Sequence, residues 1–191
     1  MAIQMKNVHK SFEDNVIFED LNLLINHNDK LALMGPSGRG KTTLLSLICG
    51  TLEPCQGAIT GQGNQKISKV FQEDRLLPYK SGLSNILFPI KWPKSRIQTA
   101  IDLLTEVGLG QDIHKKAALY SGGMKRRLAL CRALLTDFDL MILDEPFKGL
   151  DTALKPQIMK LVKDHIEDKT LIIVTHDIVE AEFFEASVVN L

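Results

Sequence analysis

The stretch Gly35-Pro36-Ser37-Gly38-Arg39-Gly40-Lys41-Thr42 fits the pattern G-x-x-x-x-G-K-[ST], a loop that binds phosphate. Its glycines let successive backbone N–H groups turn inward around phosphate oxygens, and the start of the following helix adds partial positive charge. Lys41 supplies a point charge for β- and γ-phosphates, and the Thr42 hydroxyl is suited to ligate Mg²⁺. A second feature is the pair Asp144-Glu145, which closes the apolar run Leu140-Met141-Ile142-Leu143. In a nucleoside triphosphate site Asp144 would hold Mg²⁺, directly or through water, and Glu145 would polarise the attacking water beside the γ-phosphate. A third is Ser121-Gly122-Gly123 at a predicted helix start, which makes a second anion-binding surface. Why a chain with one phosphate loop needs a second phosphate surface is the question the pattern poses.

These residues need a scaffold that delivers them at strand ends. Lys30-Leu31-Ala32-Leu33-Met34 reads as a buried parallel strand, followed after the loop by a helix through Thr43-Leu44-Leu45-Ser46-Leu47-Ile48-Cys49, with Gly50 as its stop. Leu140–Leu143 and Leu171-Ile172-Ile173-Val174 read as two more buried strands, the latter ending at Thr175-His176-Asp177. Ahead of them, Ile3, Met5 and Val8, then Leu21, Leu23 and Ile25, alternate as half-buried strands, with a turn at Ser11–Asn15. Ala58-Ile59-Thr60 and Ile67–Phe71 are short strands, and Ala186–Val189 follows a last helix through Val179 and Ala181. From Ser84 to Leu135 the pattern is mainly helical. Ser95 is the expected cap of a helix ended by Gly108, and Ser121 of a helix whose apolar face is Met124, Leu128, Cys131 and Leu135. The cluster Lys125, Arg126, Arg127 and Arg132 reads as a solvated face of that helix, and Thr152 as the cap of a helix carrying Ile158, Leu161 and His165. The fold expected is α/β: a P-loop NTPase (RecA-like) core with a mainly parallel sheet, an N-terminal antiparallel β subdomain and an inserted α-helical subdomain. The 191 residues form a single nucleotide-binding domain, with the core over 1–76 and 129–191 and the helical subdomain at about 77–128.

Apolar residues make up 45% and charged residues 24%, an ordinary globular composition. Lys plus Arg and Asp plus Glu both number 23, so the zero net charge argues against a nucleic-acid binder, which needs clustered basic charge. Cys49, Cys55 and Cys131 have no metal-like spacing, and an odd count suits a reducing cytosol. The N-terminus lacks the apolar segment of a signal peptide, and no apolar run approaches the ~18 residues of a membrane span. Any membrane role is expected to come through a partner.

These features, taken in their order along the chain and over almost its whole length, resemble the ATP-binding cassette family, the motor subunits of ABC transporters. Gly35–Thr42 looks like the Walker A motif, with Thr43 following it, Tyr120–Met124 like the signature usually written LSGGQ, and Leu140–Glu145 like Walker B. The resemblance places Gln72 as the Q-loop, Gly149-Leu150-Asp151 as the D-loop, His176 as the switch histidine and Phe12 as the aromatic that stacks on adenine. It implies that two cassettes pack head to tail, each ATP lying between one Walker A and the other subunit's signature. Ser121, Gly122 and Gly123 would then grip the γ-phosphate bound by the partner chain. Catalytic roles fall on Glu145, His176 and Gln72, and Mg²⁺ on Thr42, Gln72 and Asp144. His176 would bridge the γ-phosphate, Glu145 and the partner's D-loop near Asp151. The implied partners are a second cassette, transmembrane permease subunits and an extracytoplasmic substrate-binding protein, with the cassette at the cytoplasmic face of the membrane.

The chain departs from the family pattern at Tyr120, Met124 and Arg39, and it stops soon after Val189, where family members usually add further strands and a helix or a regulatory domain. The stretch Gln72-Glu73-Asp74-Arg75-Leu76-Leu77-Pro78 resembles cassettes of nitrate, sulfonate and taurine importers, and Met124-Lys125-Arg126-Arg127 fits that group too. The reading is an ATP-hydrolysing subunit that energises bacterial import. The alternative is a non-transport cassette acting as an ATP-gated clamp or assembly factor. Tandem cassettes, a long coiled coil or a basic face would favour that alternative, and the sequence has none of them. A regulatory module with little turnover would not need Glu145, and an ordinary P-loop kinase would not need Ser121-Gly122-Gly123.

Overall fold

The structure is a computed structural model that describes residues 2–63, 65–90 and 94–191. In chain order it holds β1 (Ile3–Phe12), β2 (Asn15–Ile25), β3 (Lys30–Met34), α1 (Lys41–Ile48), β4 (Gln56–Thr60) and β5 (Ile67–Val70). Helices α2 (Gly82–Leu87), α3 (Ile97–Glu106) and α4 (Gly122–Leu135) follow, and then β6 (Leu140–Asp144), α5 (Lys155–His165), β7 (Thr170–Val174), α6 (Ile178–Phe183) and β8 (Ser187–Asn190). The strands form a three-stranded sheet in the order β2-β1-β4 and a five-stranded sheet in the order β5-β6-β7-β3-β8. The chain divides into two compact units: Met1–Ile67 with Phe138–Ile142 and Asp168–Leu191, and Ser68–Asp137 with Leu143–Glu167.

In the first unit β1 pairs antiparallel with β2 and with β4. Phe12 faces Asn15, so the hairpin turn is only Glu13 and Asp14, with Glu13 at a positive φ of 50°. The strands thus run further into the Ser11–Asn15 segment than the sequence suggests, because a two-residue turn needs only its two central residues off the ladder. In the larger sheet β3 lies between β7 and β8 and is parallel to both. Leu31, Ala32 and Leu33 on β3, and Leu171 to Val174 on β7, are buried, as befits strands covered on both faces. Leu44, Leu45, Leu47 and Ile48 of α1 are fully enclosed in one cluster with Met5, Val8, Ile25, Leu140, Ile142 and Ile172. That cluster anchors the strand and the helix on either side of the phosphate loop.

In the second unit Ser81 and Ser121 cap α2 and α4, accepting N–H groups from Ser84 and Met124. Ser95 caps nothing: a 3-10 turn over Lys94–Arg96 precedes α3, and the cap position falls on Arg96 without a side-chain bond. Thr152 is also displaced as a cap, because α5 starts only at Lys155. The Asp151 carboxylate accepts the Ala153 N–H at 2.8 Å, closing a tight turn that Asp makes better than Thr. The basic cluster of α4 is not a solvated face. Arg126 is only 7% exposed, and burial on α4 spreads from the expected Leu128, Cys131 and Leu135 to Ala129, Leu130, Ala133 and Leu134. Arg126 and Arg132 donate to backbone carbonyls of the loop after β5, and Arg127 to those of Gly123 and Val107, a demand that a charge pattern does not display. None of the three cysteines is joined in a disulfide, and complete burial pushes the Cys131 thiol up to about 12, out of the reactive range.

Candidate nucleotide site

The first unit carries the phosphate loop. Gly35, Gly38 and Gly40 adopt φ of 137°, 84° and 86° as the chain passes from β3 to α1. At Gly40 a Cβ would lie 2.5 Å from Ile17 Cγ2 and 2.8 Å from Phe18 Cζ, so both handedness and space require glycine there. Lys41 is nearly buried, and its Nζ donates to the carbonyls of Gly35 at 2.6 Å and Pro36 at 2.8 Å. The ammonium is therefore held inside the loop as a preset cation. Pro36, Ser37, Gly38 and Arg39 are exposed along the loop. Thr42 is exposed in the first turn of α1, and Thr43 is half-buried behind it.

Leu33 of β3 lies in register with Val174 of β7, and the Thr175 N–H donates to the Leu33 carbonyl at 3.3 Å. This register brings His176 out of the sheet beside the start of the loop. His176 is exposed, between the buried Thr175 and Asp177, the cap of α6. The Thr175 hydroxyl donates to the Glu180 carboxylate at 2.5 Å and accepts the Asp177 N–H at 3.1 Å. Glu180 is buried, so it fixes the segment that presents His176. The sequence pattern did not single out Glu180, which looks like one more surface acid of a short helix. Phe12, at the end of β1, has 46% of its surface exposed. The Lys10 ammonium sits 5.0 Å from its ring centre and donates to the Glu53 carbonyl. An exposed aromatic braced by a cation is a suitable platform for a flat base.

The second unit carries the other candidates. Asp144 ends β6 and Glu145 follows it, both half-buried. Glu145 has a φ of 47°, a left-handed conformation costly for a non-glycine residue and typical of functional sites. Its Oε2 accepts from Lys148 Nζ at 2.6 Å, a neighbour three residues on that the sequence pattern did not flag. Ser121 and Gly122 are exposed at the start of α4. A Cβ on Gly123 would approach the Gly149 carbonyl to 3.4 Å, so the Ser121–Gly123 turn lies against the segment leading to Asp151. Gln72 is exposed on the loop after β5. Its carbonyl accepts from Arg126 Nη2 at 2.8 Å, and the Phe71 carbonyl accepts from Nη1 of the same group at 2.7 Å. Asp74 on that loop is half-buried, and desolvation raises its carboxyl above the usual range despite Arg126, Lys125 and Arg132 nearby.

Tyr120, the first residue of the signature, is buried and faces away from this surface. Its hydroxyl donates to the Asp112 carbonyl at 2.7 Å, and burial with the nearby Asp112 raises the phenol above its usual range. The ring sits where any side chain on Gly82 would collide with its hydroxyl. Tyr120→Phe deletes that hydrogen bond, and chemical denaturation is expected to show a loss of about 1 kcal/mol. A variant as stable as the parent would show the bond contributes nothing.

Thr42 hydroxyl, Asp144 carboxylate and the Gln72 amide are all oxygen donors, the chemistry Mg²⁺ prefers over softer metals. Among the described residues no three His, Cys, Asp or Glu side chains cluster as metal ligands.

Comparison with known proteins shows the family. The family model described as ABC transporter matches residues 18–148. The chain is 36% identical to the aliphatic sulfonates import ATP-binding protein SsuB 1 of Nocardia farcinica, over 95% of this chain and 74% of that protein. It is 34% identical to the spermidine/putrescine import ATP-binding protein PotA of Fusobacterium nucleatum, over 94% of this chain and 52% of that one. A solved structure, the dimeric post-hydrolysis state of the ATP-binding cassette MJ0796 bound to ADP and Pi, matches with a TM-score of 0.86 at 28% identity. That match covers 99% of this chain and 94% of the other. The chain belongs to the ABC transporter family, as one of its ATP-binding subunits. Among the described residues no helix is long and apolar enough to cross a membrane.

Proposed function

We propose that the chain binds Mg-ATP and hydrolyses it as a head-to-tail pair of cassettes, driving import through separate membrane subunits at the cytoplasmic face of the membrane. The observation that carries this reading is the exposed cap Ser121-Gly122 at the start of α4, in a chain that already has a complete phosphate loop of its own. An exposed serine and free helix N–H groups suit a phosphate presented from outside. Phe12 stacks on adenine, and Gly35 to Thr43 hold the phosphates with Lys41 as the cation. Thr42, Asp144 and Gln72 would hold Mg²⁺, which would supply the positive charge that neutralises the phosphates. Glu145 takes the proton of the attacking water, and His176, held by the Thr175–Glu180 bond, orients the γ-phosphate. Asp151 lies at the partner's side of that site. Import is supported by the sulfonate and spermidine import proteins among the relatives, and a binding protein outside the membrane belongs to the same reading. The helical insertion around residues 77–128 is the side offered to the permease.

ATP hydrolysis by the purified chain, measured against protein concentration, tests the pairing. The rate is expected to rise faster than linearly at low concentration, with a dimer on sizing in the presence of ATP. Linear turnover together with a monomer on sizing would mean that each chain carries a self-sufficient site.

A further inference from the structure

The loop from Phe71 to Leu77 is neither helix nor strand, yet it must hold Gln72 in place. Backbone carbonyls of such a loop need donors from elsewhere. Two guanidinium groups of α4 supply them. Arg126 donates to the carbonyls of Phe71 at 2.7 Å and Gln72 at 2.8 Å, and Arg132 to those of Asp74 at 2.9 Å and Arg75 at 2.8 Å. Four of the five carbonyls from Phe71 to Arg75 are thus taken by two side chains six residues apart on α4. Asp74 Oδ1 is enclosed and lies 3.2 Å from Arg126 Nη1, an ion pair without the alignment of a hydrogen bond, which keeps the guanidinium turned toward the loop. At the far end, buried Asn85 accepts the Leu77 N–H at 2.7 Å and donates to the Leu77 carbonyl at 3.0 Å. The loop is therefore clamped along its length, and α4, which carries the clamp, begins at Ser121-Gly122-Gly123.

We propose that Arg126 and Arg132 are positioning residues for ATP hydrolysis, fastening the Gln72 loop to the signature helix so that the two surfaces move as one body. The proposal rests on the reading of Gln72 as a contact of Mg-ATP or of the attacking water. A planar, forked donor suits this task because it binds two carbonyls at once with little loss of freedom. A lysine at 126 keeps the charge beside Asp74 but cannot hold both carbonyls in the same geometry.

Arg126→Lys and Arg132→Gln, each alone and each combined with Gln72→Ala, test it by steady-state kinetics, ATP binding and hydrogen exchange. Each single variant is expected to exchange the amides of residues 72–75 faster than the parent. In each, kcat is expected to fall about 10²-fold, the cost of an ångström-scale misplacement, with ATP affinity changed less than about twofold. In the Gln72→Ala background the arginine substitutions should add almost nothing, since their effect passes through Gln72. Parent-like kcat in both arginine variants, or losses that multiply with that of Gln72→Ala, would overturn the clamp. If Gln72→Ala itself hydrolyses ATP like the parent, the role given to Gln72 falls and the clamp's function falls with it. That outcome is distinguished from failure of the clamp alone by which single variant keeps its rate.

Discussion

Glu145→Gln is expected to lower kcat for ATP hydrolysis by about 10²–10⁴, the usual worth of a positioned general base, while ATP still binds. The substitution keeps the shape of the side chain and removes only its capacity to take a proton. Its environment makes the experiment discriminating. Glu145 stands in a left-handed backbone conformation directly after Asp144, so its carboxylate is placed by the strand end and not by a flexible loop. The Lys148 ammonium, 2.6 Å away, loses its ionic partner in the variant. Lys148 is 68% exposed, so water screens that pair and its loss costs at most about 1 kcal/mol of stability. A large fall in rate without a matching fall in denaturation midpoint therefore reports on chemistry. The variant should also accumulate as an ATP-bound dimer on sizing. Parent-like turnover would remove Glu145 from the catalytic role and leave it as a strand terminator paired to Lys148.

Much of the fold was legible because a few residue types have few uses. Gly40 next to Lys41 reads as a phosphate loop since only glycine tolerates φ of 86° with Ile17 and Phe18 that close. The runs Leu31–Leu33 and Leu171–Val174 are apolar without alternation, which only a strand covered on both faces requires. Caps were less legible. Ser121 does cap α4, but Ser95 and Thr152 do not cap their helices, because a 3-10 turn and the Asp151 carboxylate take over the backbone groups first. The supports of the candidate site were hidden for a different reason. Arg126 and Arg132 bond to carbonyls, which every residue carries, so nothing in residues 71–75 announces the demand that they meet. Glu180 was hidden likewise: it accepts from the hydroxyl of Thr175, and burial distinguishes it from a surface acid.

Mixing two inactive variants is expected to restore hydrolysis if each site is shared between chains. Lys41→Met removes the preset cation of the phosphate loop, whose Nζ is held by the Gly35 and Pro36 carbonyls. Charge-assisted bonds of this kind are worth about 1.5–3 kcal/mol each, so two bonds to phosphate lost together weaken ATP binding by roughly 10²-fold or more. Ser121→Arg fills the exposed cap of α4 with a long side chain and loses the hydroxyl that accepts the Met124 N–H at 3.3 Å, a cap worth about 1 kcal/mol, so a denaturation midpoint on the variant accompanies the assay. In a head-to-tail pair of unlike variants, one site joins both lesions and the other joins an intact phosphate loop to an intact cap. An equal mixture at saturating dimerisation then recovers about a quarter of the parental rate, since half the dimers are mixed and each holds one sound site. A mixture no more active than its components would place both phosphate surfaces in service of the same chain's nucleotide. Recovery well above that fraction would mean that one sound site turns over faster beside a defective one than beside its equal. The quarter-rate result alone makes the second phosphate surface a contribution to the neighbour, which is why a chain with a complete phosphate loop carries Ser121-Gly122-Gly123 at all.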